Sequence, residues 1–314
     1  MLEGQEGVTW PDWLAAARAA ERLGFEAIFT SDHYLSVMHH RDRDRGSSDA
    51  WTMLAALAAS TSTIRLGTMV SPVTFRSPAV LAKAAVTVDR VSEGRVEIGM
   101  GAGWWEEEHR AHGIPFPETP IRFDMLQEQL EIVHGLLTKE RFSFQGKHYE
   151  LDNVPFAPKG VQQPHPPIVV GGNGGPRVAA LVSRWADEFN TVGASPEQAR
   201  ERFGRVRERL DADGRGQDTL TTSVMTWCYV GETERDAMRV IQKARARAMR
   251  VARFEDELDE LRAHCLVGSV DEAVDRLNGY AAAGVQRIML NHELFDDLEM
   301  LDVLAERVFP QVTR

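Results

Sequence analysis

Two glycine-rich turns are the parts of this 314-residue chain best suited to binding a ligand. The first lies in residues 95–109, where an apolar stretch leads into Gly99, Gly101 and Gly103. The second, Gly-Gly-Asn-Gly-Gly-Pro at residues 171–176, also follows an apolar stretch. Glycines let the backbone approach a phosphate closely, and the free N–H groups of a following helical turn attract negative charge. Both turns therefore predict contact with an anionic group.

The spacing of the first turn argues against a Rossmann dinucleotide site. Its glycines form G-x-G-x-G, and Trp104 or Glu106 stands where the pattern G-x-G-x-x-G requires a further glycine. Two turns of similar character at the ends of two strands indicate instead one cofactor that spans both.

Composition limits the classes of partner. An apolar share of 43% allows a large core, and a formal net charge of −11 argues against broad attraction to nucleic acid or an anionic membrane. Cys228 and Cys265 lack the spacing of a disulfide or zinc framework, and His39 and His40 lack metal-ligand spacing. No apolar run approaches the ~18 residues of a membrane span. We expect a cytoplasmic protein with a small-molecule substrate and no metal, nucleic-acid or membrane partner.

The segments that position the two turns repeat one pattern, in which an amphipathic helix and a glycine or polar break precede an apolar strand. This alternation predicts parallel strands joined by crossover helices. Seven such strands are predicted, at residues 26–32, 63–70, 95–100, 167–171, 187–192, 222–230 and 286–291. We predict a (β/α)8 TIM barrel with insertions whose first strand is truncated, because residues 1–4 alone stand where that strand belongs. An open doubly wound sheet is the alternative.

Residues 104–163 depart from this alternation. They contain a predicted long helix at about residues 120–138, with apolar side chains at helical spacing, and a predicted hairpin at residues 141–151. We predict a single domain over residues 1–314, in which residues 104–163 form an insertion that covers the barrel mouth.

Several ordered motifs resemble the bacterial-luciferase-like superfamily and, within it, the coenzyme F420-dependent oxidoreductases. These motifs lie at residues 30–33, 66–83, 94–104, 108–109, 113–114 and 170–175. The resemblance covers nearly the whole chain. It implies a TIM barrel with the deazaflavin in its carboxyl-terminal mouth, hydride transfer between the deazaflavin and a small organic substrate, and a homodimer.

The resemblance also implies which residues hold the cofactor. Met69 and Val70 match a non-prolyl cis peptide that supports the ring, and the two glycine-rich turns match the segments that bind the phosphate side. The implied cofactor-binding residues are Asp32, Met69, Val70, Ala102, Gly103, Trp104, Glu107, His109, Gly174, Gly175, Pro176 and Arg177.

His33 is the predicted catalytic residue, because an imidazole beside the ring can exchange a proton near neutral pH. Asn291 and His292, at the end of the last strand, are predicted to point into the mouth and bind substrate; the alternative is that they cap the next helix. Glu106 and Glu108 are expected to be solvated acids at the positive end of a helix.

Two departures from the family limit which substrates are expected. The sugar-phosphate dehydrogenases carry an acid at the position of Trp104 and a tryptophan at the position of Val37, so a sugar phosphate is not expected. Two alternatives stay open: a reduced-FMN-dependent monooxygenase of the same fold, and a non-catalytic flavin- or deazaflavin-binding protein. FMN needs one compact phosphate pocket, whereas F420 needs an outward path for its anionic tail, for which Arg76, Lys159 and Arg177 are the candidate cations.

Overall fold

The computed structural model describes residues 1–37, 43–248 and 254–313, so the histidine pair at residues 39–40 lies outside the described residues. The strands are β1 (Ala27–Thr30), β2 (Arg65–Thr68), β3 (Ser71–Pro72), β4 (Val96–Gly101), β5 (Arg141–Gln145), β6 (Glu150–Pro155), β7 (Ile168–Gly171), β8 (Glu188–Val192), β9 (Thr221–Val230), β10 (Leu266–Gly268) and β11 (Arg287–Asn291).

The helices are α1 (Trp10–Arg22), α2 (Ala50–Ser60), α3 (Pro78–Val91), α4 (Glu106–Ala111), α5 (Thr119–Thr138), α6 (Pro176–Trp185), α7 (Pro196–Ala212), α8 (Glu234–Ala248), α9 (Phe254–His264), α10 (Val270–Ala282) and α11 (Glu299–Val303). Within the described ranges, none of them is both long enough and apolar enough to cross a bilayer.

Parallel pairing joins β1, β2, β4, β7, β8, β9 and β11 in that order. These strands coincide with the seven predicted from the sequence, which confirms the predicted alternation of helices and strands. The short strand β3 pairs with the end of β4, and β10 pairs with the end of β9.

The first two residues join the two outer strands of this sheet. Leu2 pairs in parallel with Thr30 of β1. The amino group of Met1 donates to the Leu290 carbonyl of β11 at 2.6 Å, and the N–H of His292 donates to the Met1 carbonyl at 2.9 Å. The predicted truncated strand is therefore represented by these two residues. Beside β1 and β11 lies a cavity of about 110 Å³ with largely apolar walls, to which α1 and α11 also contribute.

Local sequence determines where the outer helices begin. At α7, the Ser195 hydroxyl accepts the Gln198 N–H at 3.3 Å, and the Gln198 side chain accepts the Ser195 N–H at 3.1 Å. Ser269 and Glu272 form the same capping box at α10. Such boxes satisfy backbone donors that a helix start leaves unpaired. The helices then bury their apolar faces in the core that surrounds the sheet.

The inside of the barrel is filled by side chains. One apolar cluster inside the ring contains Phe29, Met69, Val169, Met225 and Met289. At the amino ends of the strands, Arg287 of β11 donates to Glu97 of β4 at 2.6 Å and to Glu188 of β8 at 2.8 Å, and it also pairs with Glu26. Removing one partner of a buried ion pair costs about 3–5 kcal/mol, so this ionic cluster fixes the amino-terminal end of the barrel.

Residues 104–163 contain the predicted helix and hairpin, as α5 and as β5 with β6. The parts of this segment lie at different levels of the barrel. α5 packs against α3 and α6 in the outer ring. Near the end of the segment, the Gln162 side chain donates to the Val96 carbonyl at the amino end of β4, opposite the mouth. The early part lies at the carboxyl ends, where Glu108 of α4 contacts His33.

Candidate active site

The carboxyl ends of the parallel strands carry most of the predicted site residues. In a parallel barrel these ends share one face, the mouth, where barrel enzymes place their sites. The residues at or beyond these ends are Asp32 and His33 after β1, Met69 and Val70 after β2, Ala102, Gly103 and Trp104 after β4, Gly174 and Gly175 after β7, and Asn291 at the end of β11. The fold thus brings both glycine-rich turns to one face.

Val70 packs against glycines at the ends of β4 and β7. The Met69–Val70 peptide bond is cis, as the resemblance implies. A Cβ on Gly101 would lie 2.5 Å from Cγ2 of Val70, and a Cβ on Gly171 would lie 3.1 Å from Cγ1. Side chains at these glycines would therefore displace Val70. We call Val70, Gly101 and Gly171 the floor of the mouth.

His33 lies beside two tryptophans and an acid. Its Nδ1 is 2.8 Å from Oε2 of Glu108. Its ring packs edge-on against Trp104 and Trp105, with centroids 5.8 and 5.9 Å away. Burial by itself would lower the pKa of His33, but the hydrogen bond to Glu108 and the charge of that carboxylate outweigh it and raise the pKa. An imidazole that keeps its proton near neutral pH can act as a proton donor.

Glu108 is a candidate that the sequence analysis missed. Its side chain is only 1% exposed, and its carboxylate also accepts the N–H groups of Tyr34 at 2.5 Å and Leu35 at 3.0 Å. The expectation that Glu108 is solvated is therefore wrong, whereas Glu106 is exposed as expected. Helical spacing could have indicated that Glu108 is buried, because Trp105, Glu108 and His109 share the buried face of this turn.

The first glycine-rich turn leads into an acidic helix start. Gly103 has a φ of +76°, a conformation that favours glycine. Trp104 is 61% exposed and stacks on Trp105, with centroids 5.7 Å apart. All three residues of the first turn of α4 are glutamates, at positions 106–108. Their charge opposes that of a phosphate, which weakens the prediction that Ala102, Gly103 and Trp104 bind the phosphate side.

The second glycine-rich turn leads into a helix start without acids. Gly175 is the N-cap of α6, no described side chain caps it, and no acidic residue lies in its first turn. A Cβ on Gly175 would have no heavy atom within 4 Å, so the space beside it is open. Arg205 of α7 donates to the Gly174 carbonyl at 3.1 Å and to the Asn173 carbonyl at 3.0 Å. Arg205 also pairs with Glu201 at 2.6 Å, so a partly neutralised guanidinium lies beside a helix start that favours anions.

Two residues that are predicted to contact the cofactor are bound by other protein groups. Asp32 is buried and accepts hydrogen bonds from Arg76 at 2.5 Å and from Ser71 at 2.8 Å. His109 has Nδ1 2.7 Å from the Trp105 carbonyl and Nε2 2.6 Å from the Thr74 hydroxyl. Because both ring nitrogens are used, His109 stabilises the turn and has no nitrogen left for a cofactor. Asp32 likewise serves to hold Arg76.

The predicted charged contacts at the rim also have protein partners. Glu107 pairs with Arg43 at 3.0 Å. Arg177 of α6 pairs with Asp124 of α5 at 2.5 Å. Pro176, the first residue of α6, has no N–H to donate. The ammonium of Lys159 donates to the Leu136 carbonyl at 2.6 Å, so this cation is engaged at the end of α5.

Asn291 is the last residue of β11, and His292 follows it outside the strand. The Asn291 side chain donates to Glu3 at 3.0 Å, and its buried Oδ1 has no partner among the described residues. His292 instead lines the cavity beside β1 and β11 with residues such as Met300 of α11. Burial lowers the pKa of His292 to about 4, so it is neutral near pH 7. His292 therefore lines this cavity, and its predicted role in binding substrate stays a prediction.

Comparisons with known proteins agree with this architecture. The profile of the luciferase-like monooxygenase family matches residues 2–287. The chain is 28% identical to an F420-dependent glucose-6-phosphate dehydrogenase from Amycolatopsis mediterranei, over 96% of this chain and 94% of the relative. It is 30% identical to an FMNH2-dependent dimethylsulfone monooxygenase from Pseudomonas putida, over 74% of this chain and 61% of the relative.

Among solved structures, the monooxygenase RslO1 from Streptomyces bottropensis superposes with a TM-score of 0.82 at 26% identity, over 96% of this chain and 92% of that one. The predicted TIM-barrel fold is confirmed by this likeness and by the parallel sheet. The chain therefore belongs to the luciferase-like monooxygenase family and is an oxidoreductase.

Proposed function

We propose that the chain is an F420-dependent oxidoreductase that transfers a hydride between the deazaflavin and a small organic substrate at the barrel mouth. The observation that carries this proposal is the start of α6, which has no side-chain cap and no acid and lies beside Arg205. It opens at the same face as His33. A relative that shares 28% of its residues over nearly the full length also uses F420.

The described residues fit a phosphorylated cofactor with a planar ring. The backbone of Gly174 and Gly175 would hold the phosphate side, with Arg205 contributing charge. Val70, which is partly exposed above the floor glycines, would support the ring. When bound, F420 supplies the hydride chemistry at C5 of the deazaflavin. The protein orients the substrate and excludes water.

His33 is the proposed proton donor, and Asn291 the proposed substrate-binding residue. His33 suits this role because its side chain keeps 17% of its surface exposed next to Trp104. The buried, unpartnered Oδ1 of Asn291 can accept a hydrogen bond from a substrate. Trp104 gives the site an apolar, aromatic wall where the sugar-phosphate dehydrogenases have an acid, which supports a substrate other than a sugar phosphate. We propose that the early part of residues 104–163, through α4, covers this site.

Titration of the purified protein with F420 and with FMN tests the cofactor. We expect micromolar or tighter binding of F420 and negligible binding of FMN. A preference for FMN would contradict the proposal and favour the reduced-FMN-dependent monooxygenase, which the 30%-identical relative represents. Tight F420 binding without reduction or oxidation of any organic compound in a substrate screen would favour a non-catalytic binding protein.

We also propose a homodimer in the cytoplasm. Two valines on α3, Val80 and Val91, are 58% and 46% exposed, and an exposed apolar helix surface is suited to a second subunit. Both cysteines are free and buried, as suits a reducing compartment. Light scattering after size-exclusion chromatography is expected to give twice the 35.1 kDa chain mass. Val80→Glu is expected to shift the mass toward that of the monomer.

A further inference from the structure

The carboxylate of Glu108 holds the segment that follows β1. It accepts three hydrogen bonds, from Nδ1 of His33 and from the backbone N–H groups of Tyr34 and Leu35. A carboxylate can only accept when ionised, so Nδ1 of His33 must carry its hydrogen toward Glu108. No described residue bonds the other ring nitrogen, Nε2. Nδ1 is therefore bound to Glu108, whereas Nε2 is available to a substrate.

We propose that Glu108 is the positioning residue of this site: by binding Nδ1 of His33, it makes Nε2 the nitrogen that exchanges a proton with the substrate. This inference rests on the proposed function. In the direction of substrate reduction, bound F420 would supply the hydride, and the substrate atom that becomes negative would take the proton from Nε2. The Nε2–H bond breaks, a new bond to hydrogen forms on the substrate, and solvent water then returns a proton to Nε2.

The charges around His33 favour the protonated ring. Glu108 of α4 contacts it directly, Glu3 of the amino-terminal segment and Asp32 after β1 add negative charge nearby, and Asp32 is itself neutralised by Arg76. His109 opposes this effect only when charged, and burial lowers its pKa. Glu108 is therefore the main group that raises the pKa of His33 against the effect of burial.

Nitrogen-detected NMR of the histidine side chains tests this assignment without a known substrate. In the wild-type protein, we expect His33 to carry a hydrogen-bonded Nδ1–H, and we expect added F420 to shift the Nε2 resonance more than the Nδ1 resonance. An unprotonated Nδ1, or a response to F420 confined to Nδ1, would overturn the proposal. This measurement requires no variant, so it does not depend on how a variant folds.

Glu108→Gln provides the second measurement, with Glu106→Gln as the matched control because Glu106 is exposed in the same helical turn. We expect Glu108→Gln to lower the pKa of His33 by about 1 unit or more, and Glu106→Gln to leave it unchanged. An unchanged pKa in folded Glu108→Gln would overturn the proposal. If F420 does not bind the wild-type protein, the proposed function is wrong. A hydrogen-bonded Nδ1–H on His33 would still support the role of Glu108.

Discussion

The two glycine-rich turns of this barrel have similar sequences and different surroundings. The turn after β4 contains Gly101 and Gly103 and enters a helix whose first turn is entirely acidic. The turn after β7 contains Gly174 and Gly175 and enters a helix with no acid and with Arg205 beside it. The first turn leaves space for Val70 and places Glu108 against His33. The charge of the following helical turn, and not the glycine content, is therefore what distinguishes the two turns.

The largest expected effect is that of Gly175→Asp. The backbone at Gly175 has a φ of −66°, which any residue adopts, and the added side chain meets no atom, so the fold is expected to survive. An aspartate there would cap α6 with its own charge and repel an anion. We expect the affinity for F420 to fall about 100-fold, or about 2.7 kcal/mol, as measured by fluorescence titration.

Gly175→Ser is the control for that change, because serine caps the helix without charge. A loss of only a few-fold is expected, with unchanged thermal stability in both variants. Equal losses in the two variants would mean that occupation of the backbone donors, and not charge, explains the effect. If Gly175→Asp binds F420 with unchanged affinity, the start of α6 is not part of the cofactor site.

Gly101→Ala tests the contrasting role of the first turn. Its methyl group would lie 2.5 Å from Cγ2 of Val70 and would displace that side chain from the floor. We expect the affinity for F420 to fall about tenfold, or about 1.4 kcal/mol. Shortening the neighbour in the double variant Gly101→Ala/Val70→Ala is expected to recover much of the loss relative to Val70→Ala alone. Additive losses would show that Gly101 acts through something other than Val70.

A titration of stability against pH also separates the two turns, because Glu108, in the helix that follows the first turn, pairs with His33. The raised pKa of His33 means that its contribution is complete below about pH 6 and is lost as pH rises through the folded-state value. The lowered pKa of Glu108 means that its contribution is lost only as pH falls below about 4. We expect His33→Gln to cost about 1 kcal/mol near pH 5.5 and less above pH 8 in denaturant unfolding. A penalty that does not change with pH would contradict the ion pair.

The smallest effect is expected from Glu107→Gln. Glu107 pairs with Arg43 at the rim, and its side chain is 45% exposed. If the first turn does not bind the phosphate, neutralising this acid is expected to change the affinity for F420 by less than about twofold. A clear gain in affinity would indicate that an anion lies close to α4, and the comparison between the two turns would then have to be reversed.

The seven strands and the mouth were predictable from the sequence, because the alternation of apolar strands with amphipathic helices leaves few other topologies. The positions of His33, Val70 and Gly175 followed from their place at strand ends. The position of a residue at a strand end does not show which partner its side chain binds. Asp32 is bound by Arg76, which lies 44 positions away, and His109 is bound by the Thr74 hydroxyl.

Glu108 was mispredicted for a local geometric reason. Glu108 belongs to a run of three acids, and only the rotation of α4 decides which of them turns inward. A shift of one residue, from Glu107 to Glu108, changes a solvated group into a buried one, and composition cannot detect that shift.

The ionic cluster of Arg287 with Glu97 and Glu188 lies at the end of the barrel away from His33. These ion pairs are remote from the mouth, so replacement of an exposed side chain there leaves them intact. Trp104 occupies such a position, exposed at the mouth and remote from the cluster. An evolutionary change of substrate in this lineage could therefore proceed through single replacements at that position, and the same position is a practical starting point for directed evolution.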